Sequence, residues 1–392
     1  MENIGIIIKS LKGGGAERAA ANLSKDLSER YNVYLMIFDS TEIAYPYKGE
    51  IIDLETVPVK GKVGKIVNFI KRYKKIYAAK RKYNFKACIS FMPAANLLNV
   101  LSKYRERTIC SIRNMMSIRE KSRVGRYMIS FTGKKADITV SLSEGVRTDL
   151  IDNFRYPPEK VKTIYNSCDI SWFMVNNSNI DKIIEKTSFN GHCVVTVGRL
   201  TNQKGQWHLI KAISCVKKKI PDVQLFLFGE GELLDSLKAL TEELNLSENI
   251  VFMGYVKNHH KFMAKCDCFV FPSIYEGLGN VVLEALACGI PVISTDCPYG
   301  PKEILDPNNV FEITNKHDGE YGVLVPAFQD EGMDFSLKIE KNEEILANAI
   351  IEILTDKGKK EWYRAQAIRR SIFFKPENIQ HQWIDLIEEV RQ

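Results

Sequence analysis

No apolar run in the sequence approaches the roughly 18 residues that a membrane-spanning helix needs, because Lys9, Glu276 and Glu284 interrupt the best candidates. The first residues, Met1-Glu2-Asn3, carry neither the basic start nor the cleavage site of a secretory leader. The expectation is a cytoplasmic protein that crosses no membrane. The nine cysteines are odd in number and scattered, with Cys266 and Cys268 the one close pair, which fits neither a disulfide framework nor a zinc ribbon and suits a reducing compartment. Histidines number six, and the adjacent His259 and His260 are expected to point in different directions and so not to share a metal. There is no Asp-x-Asp triplet, which argues against holding a diphosphate through a divalent cation on such a triplet. No metal ligand set is expected.

What is present begins with length and charge. A chain of 392 residues, 45% of them apolar, fits two α/β domains of about 150 to 200 residues each, and two domains imply a cleft. The net charge of +7 hides an asymmetry: residues 1–165 hold 31 Lys and Arg against 16 Asp and Glu, whereas the remainder is net acidic. The basic side is the N-terminal half.

Ile4-Gly5-Ile6-Ile7-Ile8 reads as a strand buried on both faces, and Gly13-Gly14-Gly15 leads from it into a helix over about 16–30. Runs at 33–38, 87–91, 108–112 and 138–142 alternate with helical stretches, the rhythm of a parallel, doubly wound sheet. The polar stretch Asn176-Asn177-Ser178-Asn179 and the segment 181–186 read as a linker, after which strands at 194–198, 224–228, 250–253, 268–271 and 291–294 restart the pattern. The domains are therefore placed at 1–175 and 190–372. A terminal helix within 373–392, apolar at Trp383, Ile384, Leu386 and Ile387, is expected to pack back towards the first domain. The segment 328–340 reads as a loop.

Three constellations carry chemistry. In Glu276-Gly277-Leu278-Gly279-Asn280-Val281-Val282-Leu283-Glu284 a helix starts just after a buried strand, so its free amides and positive dipole end suit an anion such as a diphosphate. Glu276 and Glu284 stand about 12 Å apart if the rise is helical throughout, within reach of one nucleotide and its substituent. A glutamate between Leu283 and Ala285 is poorly explained by surface placement alone. Gly198-Arg199, with Lys204 five residues on, puts a planar fork and a mobile ammonium on a strand-end loop, where cations stabilise a departing diphosphate more than the bound one. Gly14 and Gly15 allow close backbone approach to a ligand. That turn also suits a dinucleotide enzyme with Asp39 on a ribose, but Arg18 stands where the third glycine would be needed. Glu230, in Gly229-Glu230-Gly231, and Tyr255, after Gly254, are further candidates for the nucleotide.

Taken together these residues resemble the family 4 glycosyltransferases over nearly the whole chain. Gly13-Gly14-Gly15-Ala16-Glu17-Arg18 is similar to the family's N-terminal loop, Ile164-Tyr165-Asn166-Ser167-Cys168-Asp169 to its domain-exit segment, Gly198-Arg199 with Lys204 to its diphosphate-binding pair, and Glu276 and Glu284 to its two glutamates. The resemblance implies the GT-B architecture, two Rossmann-like doubly wound domains facing a cleft, and a retaining transfer. It implies that Arg199 and Lys204 hold the diphosphate of a UDP-sugar and that Glu276 and the backbone of Gly277, Leu278, Gly279, Asn280 and Val281 contact the sugar. It further implies that Glu284 binds the ribose hydroxyls, that Gly14 and Gly15 meet the diphosphate from the other domain, that the leaving phosphate serves as base, and that no metal or other cofactor is required. Many relatives carry a histidine after the strand at 108–112, where this chain departs with Ser111-Ile112-Arg113-Asn114; Asn96, Arg113 and Asn114 are the acceptor-side candidates. Gly300-Pro301-Lys302-Glu303-Ile304-Leu305 resembles bacterial enzymes that assemble capsule, O-antigen or lipid-linked oligosaccharides, so the acceptor is read as a lipid-linked or growing glycan. A nucleotide-sugar epimerase of the same fold and an inactive nucleotide-sugar-binding module are the alternatives.

Between Lys60 and Lys86 stand eleven Lys and Arg and no acid, with Ile66, Ile70, Tyr73 and Tyr77 at helical spacing. Such a basic amphipathic helix suits an anionic membrane surface rather than nucleic acid, which would place the protein peripherally at the inner face of the cytoplasmic membrane. A solvated face whose apolar stripe packs on the first sheet is the alternative.

Overall fold

The computed structural model describes residues 1–56, 61–169, 178–187, 189, 192–329 and 332–389. The chain divides into two compact units, Met1–Asn166 with Pro376–Gln392, and Ser167–Lys375.

The first unit is a seven-stranded sheet built from β1 (Asn3–Ile8), β2 (Asn32–Ile37), β3 (Glu50–Asp53), β4 (Ala87–Phe91), β5 (Arg107–Ile112), β6 (Ile138–Ser141) and β7 (Val161–Thr163). Every pairing is parallel, in the order β3-β2-β1-β4-β5-β6-β7. Helices α1 (Gly15–Leu27), α2 (Lys62–Tyr83), α3 (Pro93–Leu101), α4 (Met116–Arg119), α5 (Arg123–Lys135) and α6 (Glu144–Phe154) join the strands. Continuous apolar runs explain the central strands: Ile4, Ile6, Ile7, Ile8, Ala87, Cys88 and Ile89 are all inaccessible to solvent. The last helix of the chain, Pro376–Glu388, adds Ile379, Trp383, Ile384, Leu386 and Ile387 to the cluster that contains Ile4, Leu23 and Leu27. Tyr31 donates to its Glu388 at 2.6 Å, and Lys86 pairs with the same carboxylate at 2.7 Å.

Helix α2 differs from the sequence reading at two points. Lys80 is no surface cation: its ammonium is fully buried, 2.7 Å from Glu106 and 2.8 Å from both the carbonyl and the amide oxygen of Asn99. The apolar stripe also divides. Ile76 and Ala79 are buried against the sheet, whereas Val63, Ile66, Val67 and Ile70 are exposed. Lys60 lies outside the described residues.

The second unit opens with α7 (Ser178–Lys186), where the sequence suggests a linker. The segment is helical because Ile180 is fully buried and Asp181 pairs with Lys261 at 3.0 Å; Asn176 and Asn177 lie outside the described residues. Its sheet holds β8 (Cys193–Val197), β9 (Gln224–Phe228), β10 (Ile250–Gly254), β11 (Cys268–Phe271), β12 (Val292–Thr295), β13 (His317–Asp318) and β14 (Val323–Val325), in the order β10-β9-β8-β11-β12-β14-β13. Among the described residues only the β13–β14 pairing is antiparallel. Helices α8 (Gln206–Lys217), α9 (Leu234–Glu243), α10 (His260–Met263), α11 (Asn280–Ala287), α12 (Pro301–Leu305), α13 (Lys341–Thr355) and α14 (Lys357–Phe373) complete it. The helix Pro376–Glu388 is then α15. Among the described residues no helix is long and apolar enough to cross a membrane.

Candidate active site

In a parallel sheet ligands collect beyond the carboxyl ends of the strands, at the point where the strand order reverses. In the second unit that point lies between β8 and β11, and the loops after these two strands carry the candidate cations and glutamates.

The loop after β8 is fixed through its backbone. Gly198 donates to the Phe228 carbonyl and Leu200 to the Glu230 carbonyl, both at 2.9 Å. Gly229, at φ 139°, permits this approach, since a Cβ there would stand 1.9 Å from the Gly198 oxygen. The Gln206 amide donates to the Arg199 carbonyl at 2.9 Å, so the backbone is anchored while the Arg199 side chain stays exposed. Among the described residues Arg199 forms no ion pair. Glu230 is exposed, and Tyr255 is 72% exposed.

Lys204 and Glu276, 72 residues apart, meet in an ion pair across the switch point. Their side chains retain 16% and 9% exposure, and the Lys204 ammonium lies 4.8 Å from the centre of the Phe271 ring. The two loops are stapled beside the pair: Ile274 donates to the Gln203 carbonyl, and the Gln203 amide to the Tyr275 carbonyl, both at 2.9 Å. Helix α11 starts directly afterwards. Its N-cap is Gly279, in the left-handed region at φ 86° and ψ 61°, and no side chain caps the helix, so its positive end is presented at the pair. Leu278 and Gly279 are buried, whereas Gly277, Asn280 and Val281 are partly exposed.

Glu284, one turn into α11, is only 6% exposed and has partners that sequence reasoning missed. The His260 Nε2 lies 3.1 Å and the His259 Nε2 3.5 Å from the same carboxylate oxygen, Oε2. This corrects the expectation that the two rings diverge. His259 caps α10 and His260 opens it, and there the rings stack, their centres 4.2 Å apart, and turn to one carboxylate. The signal available in the sequence was position: both histidines follow β10, on the side of the sheet where ligands collect.

In the first unit the Gly14 amide donates to the Tyr45 hydroxyl at 3.2 Å, and Gly14 caps α1 without a side-chain bond. Asp39 pairs with Lys12 at 2.9 Å and accepts from the Thr41 hydroxyl at 2.7 Å; these bonds, Thr41 first, hold its carboxyl down to about 2. It is engaged within its own loop rather than poised for a ribose. Of the acceptor-side candidates, Asn96 is fully buried, its amide donating to the Ser111 carbonyl at 3.1 Å, so it braces α3 against β5 instead of facing a ligand. Arg113 is half-buried, its guanidinium 5.8 Å from the Phe91 ring, and burial lowers it from its usual value while leaving it charged at neutral pH. Asn114 is exposed.

Two parallel-sheet domains of this kind define the GT-B fold. The solved structure of the Anabaena protein HepE in complex with UDP is similar to this chain with a TM-score of 0.78 at 20% identity, covering 100% of both chains. The model of Glycosyltransferase Family 4 matches residues 13–172, and that of Glycosyl transferases group 1 matches residues 179–370. The chain belongs to the family 4 glycosyltransferases. It is 31% identical over 365 residues, 89% of this chain and 93% of the other, to the N-acetylgalactosamine-N,N'-diacetylbacillosaminyl-diphospho-undecaprenol 4-alpha-N-acetylgalactosaminyltransferase of Campylobacter jejuni. A second Campylobacter jejuni enzyme, a GalNAc-alpha-(1->4)-GalNAc-alpha-(1->3)-diNAcBac-PP-undecaprenol alpha-1,4-N-acetyl-D-galactosaminyltransferase, is 25% identical over 395 residues, 100% of this chain and 99% of that one.

Proposed function

We propose that this glycosyltransferase moves a hexose or N-acetylhexosamine from a UDP-sugar to a hydroxyl of a lipid-linked or growing glycan, with retention at the anomeric carbon and without a required metal. The observation that carries the reading is the Lys204–Glu276 pair at the switch point, with the open end of α11 beside it and Glu284 one turn below. The UDP-bound fold relative and the diphospho-undecaprenol named for the Campylobacter relative support the donor and acceptor classes.

Lys204 exchanges Glu276 for the diphosphate when donor binds, and Arg199, already held by its backbone, adds its fork. Glu276 is thereby released to accept hydrogen bonds from the sugar hydroxyls. Glu284 accepts from the ribose hydroxyls. As the bond between the anomeric carbon and the diphosphate oxygen breaks, negative charge grows where the two cations and the end of α11 stand. The acceptor oxygen attacks from the same face and its proton passes to the departing phosphate oxygen. No separate base is needed.

The exposed start of α2, with Val63, Ile66, Val67 and Ile70 beside Lys65 and Lys74, is the surface that rests on an anionic membrane and meets the lipid-linked acceptor. On this reading the protein works peripherally at the inner face of the cytoplasmic membrane. A panel of nucleotide sugars, assayed for free nucleoside diphosphate with a lipid-linked acceptor, tests the reading. Transfer from a UDP-sugar with retained configuration is expected. Release of an epimerised donor, or none of any product, would refute it.

A further inference from the structure

We propose that His259, His260 and Glu284 form a binding site for a divalent transition-metal ion of the zinc type, and that metal and nucleotide compete for Glu284. The first part stands on geometry alone; the competition rests on the reading of Glu284 as the ribose carboxylate.

One ligand atom from each of the three residues can be chosen so that all lie within 4.8 Å of one another. In a tetrahedral site with metal–ligand bonds of about 2.0–2.1 Å, neighbouring ligand atoms stand about 3.3 Å apart. The two nitrogen-to-carboxylate distances, 3.5 Å for His259 and 3.1 Å for His260, bracket that edge. The two nitrogens stand no more than 4.8 Å from each other on rings that stack at 27°, so ligation requires the rings to turn until the nitrogens converge on one point.

The tautomer of His259 adds an independent reason. Its Nδ1 lies 3.2 Å from the Val256 carbonyl, which can only accept, so Nδ1 carries the hydrogen. In the neutral ring Nε2 then holds a lone pair directed at a carboxylate oxygen. Two acceptors facing each other are reconciled by a cation, either a second proton on the ring or a metal ion. A ring whose far nitrogen is tied to a backbone carbonyl, leaving the near one as a donor of electrons, is also how metal-bound histidines are oriented. On metal binding the His260 proton moves from Nε2 to Nδ1, so its hydrogen bond to Glu284 gives way to a metal bond.

The chemistry of the set selects the ion. Two imidazoles and one carboxylate favour zinc, cobalt(II), nickel or copper(II) over magnesium or calcium, which prefer oxygen ligands. A water completes the fourth position. The ion neutralises Glu284 and weakens its hydrogen bonds to ribose hydroxyls, and each ligand must weaken the other by the same factor.

Cobalt(II) titrated into the metal-free protein tests the site directly through its visible spectrum. The expected result is a tetrahedral cobalt spectrum without the intense thiolate charge-transfer bands that cysteine ligands would give, displaced by one equivalent of zinc and weakened at least about tenfold in affinity by His259→Ala and by His260→Ala. Wild-type binding that is absent, or unchanged in both variants, would overturn the site. The second arm measures UDP affinity with and without saturating zinc, and a loss of about tenfold or more is expected. A UDP affinity unaffected by zinc at a site proved by cobalt would overturn the competition and the ribose role of Glu284, while the metal site stands. Loss of cobalt binding in folded His259→Gln, which keeps a polar side chain, would separate ligation from simple packing.

Discussion

Two lysine–glutamate pairs, one in each unit, look alike in the sequence and differ in what surrounds them. Lys80 and Glu106 are enclosed at 0% and 1% exposure, and the ammonium is further bound by both oxygens of Asn99. The Glu106 carboxylate in turn accepts from the amides of Tyr104 and Arg105 at 3.1 and 3.2 Å. Three oxygens surround the ammonium, and one carboxylate oxygen takes both amides while the other faces the ammonium. Lys204 and Glu276 keep 16% and 9% exposure, and among the described residues Lys204 has the one ion-pair partner and an aromatic face. A saturated buried pair locks a fold, since removing either member strands a charge; a pair at a rim with spare coordination can exchange partners with a ligand. On the proposed function the first belongs to stability and the second to turnover.

The largest effect that would break this comparison is expected from Lys80→Met. Glu106 would remain buried without its cation, and a loss of about 3–5 kcal/mol follows, read as a lowered denaturation midpoint. Turnover per folded molecule should not change. The double variant Lys80→Met with Glu106→Leu should recover part of the loss, because no charge is stranded although the Asn99 oxygens and the Tyr104 and Arg105 amides lose their partners. A single-variant loss below about 1 kcal/mol would place the two pairs in one class.

Lys204→Ala is expected to behave in the opposite way. The rate of nucleotide release should fall about 10²–10³-fold, the scale seen when one preorganised stabiliser of developing charge is removed, with little change in midpoint. Glu276→Ala should lower turnover comparably. Activity unchanged in both variants would remove the pair from the site altogether.

What the sequence made legible follows from the same contrast. Strands such as Gln224–Phe228 and Cys268–Phe271 could be read to the residue because strands covered on both faces are apolar throughout. Glu276 and Glu284 stood out because acids in apolar surroundings require a reason. The edge strand β3, Glu-Ile-Ile-Asp, and the three-residue β7 and β14 gave too short a signal. Helix α7 was hidden by the polar run before it. Lys80 was indistinguishable from its ten basic neighbours, because burial of a lysine depends on Asn99 and Glu106, which are remote in sequence. Adjacency in sequence does not fix where His259 and His260 point: their place at a helix start lets both rings turn to Glu284.

A smaller effect separates the two faces of α2. Its exposed lysines act through bulk charge, unlike the enclosed Lys80, so Lys65→Ala and Lys74→Ala should each weaken binding to anionic vesicles by about 1 kcal/mol, roughly fivefold, and binding should fall with salt. Equal binding to neutral vesicles would sink the electrostatic reading.

The smallest effect concerns a third pair, Lys12 with Asp39, which lies between the two extremes. Asp39 is nearly buried while Lys12 is 39% exposed, and the leading cause of the low Asp39 value is the Thr41 hydroxyl rather than the lysine. Its carboxyl is held down to about 2 from an ordinary 3.8, so the proton binds the unfolded chain more readily than the folded one. The stability this contributes is fully present above pH ~4 and is lost as the pH falls through about 2. Thr41→Val removes the leading bond. It should cost about 1 kcal/mol at neutral pH, raise the Asp39 value towards 3.8, and leave no difference from the parent once both carboxyls are protonated. A thermal midpoint series from pH 6 to pH 2 checks the convergence: two curves that stay parallel to the acid end would show that Thr41 acts by packing and not through the Asp39 charge.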